Sequence, residues 1–207
     1  MVSNDEYEKT ANAWYERKSS MMVATLGEEH GIVMHAMIPF EMGGGLDLYF
    51  YPNDIEGTGF VTKELSEIPT EGASNDVFDR YELVMFTRLP LELELFRDES
   101  TAFGRTYESF NAVLNAIALF SKQATLNPSE TCEFPEDMDI VGGKCLIFDG
   151  YASHDDPEAG TFGLLAIIEV FRSEMDYAMA NGGGKLIELL KASGHYPYSD
   201  MDRDPVV

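Results

Sequence analysis

The chain has 207 residues, 44% hydrophobic and 12% aromatic, which is enough apolar surface to predict a single folded domain over residues 1–207. Its 37 acidic residues exceed its 14 basic residues and give a formal net charge of -23. This charge argues against binding to nucleic acid or anionic membranes, because phosphates are bound by clustered Lys and Arg.

The first predicted element is a helix over residues 4–20. Asn4 or Asp5 can cap it, and the apolar residues Tyr7, Ala11 and Trp14 recur at intervals of three and four. We expect this apolar stripe to face the core.

Strands dominate the next part of the chain. Residues 43–45 are three glycines that predict a turn, and Leu46, Leu48 and Phe50 alternate with more polar neighbours, which predicts a hairpin with one face in solvent. The intervening segments are too short for crossover helices, so the sheet should be mostly antiparallel. The predicted strands are 32–40, 46–51, 59–63 and 81–88.

The second half alternates between helices and strands. An amphipathic pattern predicts a long helix over 103–124, and a short apolar run predicts a strand at 145–148 between acidic loops. The remaining predicted elements are a buried strand at 162–170, a helix at 173–182 capped by Ser173, a helix at 185–193, and a polar surface tail from His195. This order of elements indicates an α+β fold with a mixed, mostly antiparallel sheet flanked by helices.

Compartment signals favour the cytoplasm. No apolar run reaches the roughly 20 residues of a membrane-spanning helix, and residues 1–18 are too polar for a secretory signal. Cys132 and Cys145 lack a close CxxC spacing and are too few for a disulfide framework.

Two histidine groups are candidate metal sites. His30 and His35 are five residues apart, so they face opposite sides of a strand and miss the spacing of four that a helical zinc pair needs. His154, Asp155 and Asp156 offer calcium ligands, but without the spacing of an EF-hand loop and in a segment where solvated charge is the simpler explanation. We expect neither a metal nor a cofactor.

No catalytic pattern stands out either. There is no GxSxG elbow, and the three glycines before Lys185 lack the Ser or Thr that ends a phosphate-binding GxxxxGK[ST] loop. A turn between two helices explains these glycines more simply. We therefore expect a protein that binds rather than an enzyme; the alternative is a small-molecule binder or enzyme with a cleft near Tyr151 and His154.

Residues 26–207 resemble the suppressor-of-fused domain family. The resemblance rests on four stretches: the strand pair 46–51 and 57–62, the strand 80–86, the helix around 114–118, and the closing pattern of strand, helix, glycine and helix over 164–190. The chain departs from the family in lacking a proline and tryptophan element after Leu89 and Pro90. The resemblance implies a mixed sheet flanked by helices, no known enzymatic activity, and binding of a protein partner by strand addition.

At this length the chain resembles the bacterial single-domain form of the family, whose proposed members include immunity proteins that neutralise toxins, so the resemblance implies a protein partner. The charge suggests that this partner, a toxin or a regulator, is basic. Acidic residues are densest between residues 128 and 158, although acidity that serves only solubility explains them equally well. We therefore expect the partner to contact seven residues: Glu130, Glu133, Glu136, Asp137, Asp139, Asp155 and Asp156.

Overall fold

A computed structural model describes residues 4–67 and 72–207, and these form a six-stranded sheet with helices on both faces. The helices are α1 (Asn4–Leu26), α2 (Ala102–Ser121), α3 (Arg172–Asn181) and α4 (Gly183–Ala192). The strands are β1 (Tyr49–Tyr51), β2 (Thr58–Val61), β3 (Arg80–Thr87), β4 (Thr131–Glu133), β5 (Cys145–Asp156) and β6 (Gly160–Val170). The α+β class predicted from the sequence is confirmed.

The sheet is mixed and mostly antiparallel, as predicted. Its strand order is β1-β2-β3-β6-β5-β4, and only the central pair, β3 with β6, runs parallel. A connection containing α2, β4 and β5 makes that parallel pairing possible. The long antiparallel pair of β5 and β6 forms the second half of the sheet.

Helix α2 covers one face of the sheet. The Thr101 hydroxyl accepts the N–H of Gly104 at 3.0 Å and caps the helix. Phe110 of the helix meets Phe60 edge to face, with the ring centroids 5.1 Å apart, and Phe50 packs on the other side of Phe60 at 5.2 Å. These aromatic contacts hold α2 against the first half of the sheet.

Helix α1 covers the opposite face, so the solvent-exposed face predicted for the strand at 46–51 is wrong. Tyr51 is fully buried there, and its face also packs against Trp14 and Met22 of α1. The helix is longer than predicted, ending at Leu26. The side chains of the predicted cap residues Asn4 and Asp5, and that of Tyr7, lie outside the described part of the structure.

The predicted strand at 32–40 is also wrong. Within it, only Met34 and Pro39 make isolated bridges, to Leu48 and Gly45. Pro39 has no N–H to donate to a ladder, and the chain turns there into a short 3-10 helix, Phe40–Met42. The segment lies beside β1 as an irregular loop.

Strand β5 extends well beyond the predicted strand at 145–148. Residues 149–156 were expected to be an acidic loop, but they pair with Gly160–Ala166 of β6. Ladder bonds to β6 outweigh the poor strand propensity of the Gly, Ser and Asp residues in this half of β5.

The C-terminal region differs from prediction at two points. Helix α3 starts at Arg172, so Ser173 lies inside the helix and is not its cap. The Glu174 carboxylate accepts the N–H of Phe171, the residue before the helix, at 2.9 Å. The segment after α4 is partly buried instead of lying on the surface: Ser199 donates its N–H to the carbonyl of Phe86 at 2.8 Å. Among the described residues, no helix is both long and apolar enough to cross a membrane.

Candidate protein-binding edge

The outer side of β5 is an open sheet edge over much of its length. Strand β4 pairs only with Cys145–Ile147, and the adjoining Ser129 and Glu130 exchange hydrogen bonds with Phe148 at 2.7 and 3.0 Å. Among the described residues, no backbone group pairs with this side of β5 from residue 149 to residue 156. The edge therefore exposes main-chain donors and acceptors.

The register shows which residues face outward. Phe148 bonds toward β4, so alternation along an antiparallel strand turns Gly150 the same way. A bulge between Gly150 and Ala152 then shifts the pattern by one residue, which turns Ser153 and Asp155 outward. Gly150, Ser153 and Asp155 are all exposed, in agreement with this register.

The edge at the other end of the sheet is covered. His30 donates its N–H to the carbonyl of Phe50 at 2.8 Å, and Met34 and Leu48 exchange backbone hydrogen bonds at 3.1 and 3.0 Å. The segment before β1 thus occupies its outer side. At the opposite end of the sheet, the outer half of β5 is unpaired in the described chain, and so is the outer side of the three-residue strand β4. Within residues 4–67 and 72–207, β5 therefore offers the longer open edge.

The seven predicted acidic residues separate into two groups instead of forming one surface. Glu133 lies on β4, Glu130 lies directly before it, and Glu136, Asp137 and Asp139 lie on the turn that leads to Cys145, the first residue of β5. Asp155 and Asp156 lie at the far end of that strand. Because a strand rises roughly 3.3 Å per residue, about 33 Å of extended chain separates Cys145 from Asp155.

Two residues of the first group have structural partners. The Glu133 carboxylate binds the guanidinium of Arg172, with one contact of 2.8 Å, and this bond lowers the pKa of Glu133. The Glu130 carboxylate accepts the N–H of Asn127 at 2.9 Å and shapes the turn before β4. The other three residues of the group are exposed on the turn.

The two residues of the second group, Asp155 and Asp156, differ in their exposure to solvent. Asp156 is buried, and burial favours its neutral form, but hydrogen bonds from Arg17 at 2.7 Å and from the N–H groups of Ala159 and Glu158 hold its pKa below the usual range. Asp156 thus fixes the β5–β6 turn to α1. Asp155 points to the other face and is exposed, so it is the predicted acidic residue that lies on the open edge.

The histidine groups do not assemble a metal site. His154 lies 2.7 Å from the Thr25 hydroxyl of α1, while its neighbour Asp155 faces the other side of the sheet. His35 contacts Asp47 at 2.6 Å, and the Nδ1 atom of His30 accepts the N–H of Ile32. In the described part of the chain, no three His, Cys, Asp or Glu residues are placed to share a metal ion.

Near Tyr151 and His154, the site of the alternative cleft, the Tyr151 side chain is packed against other aromatic rings. The Tyr151 ring packs against Phe86 at 4.7 Å and Tyr196 at 6.5 Å, and burial raises the pKa of its hydroxyl. Two cavities of about 480 and 390 Å³ lie elsewhere on the molecule and are lined by neither residue.

The three glycines before Lys185 form the turn between α3 and α4. Gly182 adopts φ 97°, a conformation that favours glycine, and a Cβ at Gly183 would lie 2.0 Å from the carbonyl oxygen of Ser129. The predicted turn between two helices is confirmed, and the structure adds that it packs against the segment before β4.

Sequence reasoning missed the edge residues Gly150 and Ser153. Neither is a strong strand former, and neither carries a charge that draws attention to it. In the structure, exposed Ser153 and Asp155 alternate with less exposed neighbours, but the sequence from Tyr151 to Asp156 shows no matching alternation of apolar and polar residues and so gave no signal.

Comparison with known proteins identifies the fold. No family model and no curated protein matches the chain. Among solved structures, the crystal structure of the Sufu-Fu complex aligns with a TM-score of 0.61 and 17% identity, covering 95% of this chain and 92% of that chain. The crystal structure of Drosophila Suppressor of Fused aligns with a TM-score of 0.62 and 17% identity, and the match covers 95% of this chain but 51% of that chain. The molecule therefore has a Suppressor of Fused-like fold, which confirms the fold expected from the sequence resemblance.

Proposed function

We propose that this protein is a non-enzymatic binding module that takes a segment of a protein partner as an extra strand on the outer edge of β5. The observation that carries the proposal is the unpaired edge over residues 149–156, with outward main-chain groups at Gly150, Ser153 and Asp155. Strand addition gains affinity from main-chain hydrogen bonds and demands little of the partner's sequence. The structural similarity to Sufu, which has been solved as a complex with Fu, supports a protein partner.

The charge supports a basic partner over a second copy of the same chain. Asp155 lies exposed on the open part of the edge, and the whole chain carries a net charge of -23. Two identical acidic edges would repel each other, whereas a strand that carries Lys or Arg would be attracted and steered.

The biological role that we propose is that of a bacterial immunity protein that acts in the cytoplasm and neutralises a basic toxin. Toxins that act on nucleic acid need a positive surface, and an acidic protein is suited to cover such a surface. A toxin encoded beside this gene is the first partner to test, by asking whether co-expression of this protein restores growth.

The decisive experiment is a proline substitution at Ser153. Ser153→Pro removes an outward N–H while sparing the inward bonds to β6, and Ser153→Ala is the matched control. We expect the proline variant to unfold near the wild-type temperature but to lose binding to the partner obtained by affinity purification, and the alanine variant to bind normally. Hydrogen exchange should show protection of residues 150–155 only in the complex.

A partner that binds the proline variant as well as the wild type, without protecting these amides, would refute strand addition at this edge. Raising the salt concentration should weaken binding of the wild type. At low salt, Asp155→Lys should bind more weakly than the wild type. A complex insensitive to both changes would remove the case for a basic partner.

A further inference from the structure

A cavity of about 480 Å³ opens at the edge of the sheet where β3 and β6 end. These two strands are adjacent and parallel, so their carboxyl ends lie at the same edge. The chain after β3 goes to the face covered by α2, while the chain after β6 enters α3 and α4 on the opposite face. Where neighbouring parallel strands send their connections to opposite faces, a crevice forms outside the strand ends, and ligands bind in such crevices.

Three of the 14 cations in this acidic chain line the cavity. Two of them have carboxylate partners: Lys144 binds both oxygens of Glu169 at 2.8 and 2.9 Å, and Arg88 lies 3.6 Å from Asp200. The third is Arg105. It donates to the carbonyl oxygens of Glu99 and Ser100 at 3.1 and 2.9 Å, and no carboxylate of the described residues forms an ion pair with it.

Arg105 carries its positive charge at an unfavourable position in the helix. It lies in the first turn of α2, where the positive end of the helix dipole disfavours a cation. The Arg105 side chain lines the cavity and therefore presents positive potential to it. The hydroxyls of Thr106 and Ser109, on the same face of α2, add donors to the same wall.

The remaining lining residues restrict the charge and polarity of a ligand that fits the cavity. Leu89, Phe110 and Met201 supply an apolar surface, and Asp202 supplies a carboxylate beside it. The three cations of the lining are matched by Glu169, Asp200 and Asp202, so the formal charge of the cavity is zero. A multiply charged anion such as phosphate is thus disfavoured, while a molecule with one carboxylate and one ammonium group has a complement for each.

We infer that this cavity binds a free apolar amino acid, with its carboxylate at Arg105, its ammonium group at Asp202 and its side chain against Leu89, Phe110 and Met201. A free amino acid carries both charges on adjacent groups of one small molecule, as this lining requires. The site is separate from the open half of β5, so it adds to the proposed protein-binding function and does not depend on it.

The test is calorimetric titration of the purified chain with leucine, isoleucine, methionine and phenylalanine. At least one of them should bind saturably. Arg105→Gln should weaken that binding about tenfold or more, because a charge-assisted hydrogen bond is lost, while Arg97→Gln, an exposed residue outside the cavity, should leave it unchanged. Thermal unfolding of both variants checks that the fold is intact.

Analogues of the bound amino acid test the two ends of the ligand. The amide, which lacks the carboxylate, and the N-acetyl derivative, which lacks the ammonium group, should each bind about tenfold more weakly or worse. Binding of none of the four amino acids, equal binding by Arg105→Gln, equal binding of either analogue, or tighter binding of inorganic phosphate would each overturn the assignment.

Discussion

Lys18 of α1 and Glu82 of β3 form an ion pair in which Nζ and Oε1 are 3.1 Å apart and both side chains are fully buried. The carboxylate also accepts hydrogen bonds from the Thr62 hydroxyl at 2.7 Å and from the N–H of Ser66 at 2.9 Å. The ammonium group donates to the carbonyl of Lys63 at 2.6 Å. This network joins α1 to the central strand and to the segment after β2, so it fixes the helix on the sheet.

Replacing Lys18 with methionine should destabilise the protein by about 3–5 kcal/mol, because the Glu82 carboxylate would stay buried without its counter-charge. Urea unfolding monitored by circular dichroism measures the loss. Lys9→Met, on an exposed position of the same helix, is the control and should change stability little. The double variant Lys18→Met/Glu82→Gln should recover part of the loss. Equal stability of Lys18→Met and Lys9→Met would contradict the structural role of the pair.

Gly163 of β6 is expected to tolerate no side chain. A Cβ at this position would lie 2.3 to 2.4 Å from three atoms of the Phe78 ring, which packs flat on the strand. Gly163→Ala should therefore cost about 1–3 kcal/mol or more through forced displacement of the ring. Thermal unfolding compares it with Gly31→Ala, where a Cβ would meet nothing within 4 Å.

A second variant separates the clash from a general loss of strand quality. Gly163→Ala combined with Phe78→Leu should be less destabilised than the sum of the two single changes, because the smaller side chain leaves room for the new methyl group. Strict additivity would mean that the Phe78 ring is not the obstacle.

The sequence was most informative where local signals and packing agree. The helix predicted at 103–124 is α2 at 102–121, because its apolar spacing matches the sheet face that it covers and Thr101 caps it. The strands at 59–63 and 81–88 were found within two residues for the same reason. Their residues are buried on both faces of the sheet, and near-continuous apolar runs are typical of such strands.

The sequence was least informative where the pairing partner decides the structure. Asp149, Gly150 and Asp155 are poor strand formers, yet they lie in β5 because β6 supplies a ladder. The second face of β1 looked solvent-exposed because Trp14 and Met22, which cover it, are remote in sequence. Acidic density along the chain was likewise a poor guide to the candidate site, since an extended strand separates residues that are close in sequence.

Arg203 should anchor the C-terminal segment. Its guanidinium binds both oxygens of the buried Glu174 at 2.6 and 2.8 Å, and the N–H of Val206 donates to the same carboxylate. Arg203→Met would leave Glu174 without its counter-charge, so we expect a loss of about 3 kcal/mol in urea unfolding. Arg97→Met, on an exposed site, is the control, and an equal effect of the two changes would argue against the anchor.

Glu64 should make stability depend on pH in the neutral range. Burial raises its pKa to about 7, and the nearby carboxylates of Asp47, Glu82 and Glu67 add to this, while a 2.7 Å hydrogen bond from the N–H of Asp47 opposes it. An unfolded glutamic acid titrates near 4.5, so between these two values the folded state holds a proton that the unfolded state has lost. The contribution of Glu64 to stability therefore falls as pH rises from about 4.5 to 7.

Glu64→Gln keeps an uncharged acceptor for the Asp47 N–H at every pH. The variant should match the wild type below pH 4.5 and exceed it above pH 7 by about 1–2 kcal/mol, a value reduced for the partial solvent exposure of the side chain. Urea unfolding at a series of pH values compares it with Glu188→Gln, an exposed change on α4. A difference between wild type and Glu64→Gln that stays constant across this range would show that Glu64 titrates normally in the folded protein.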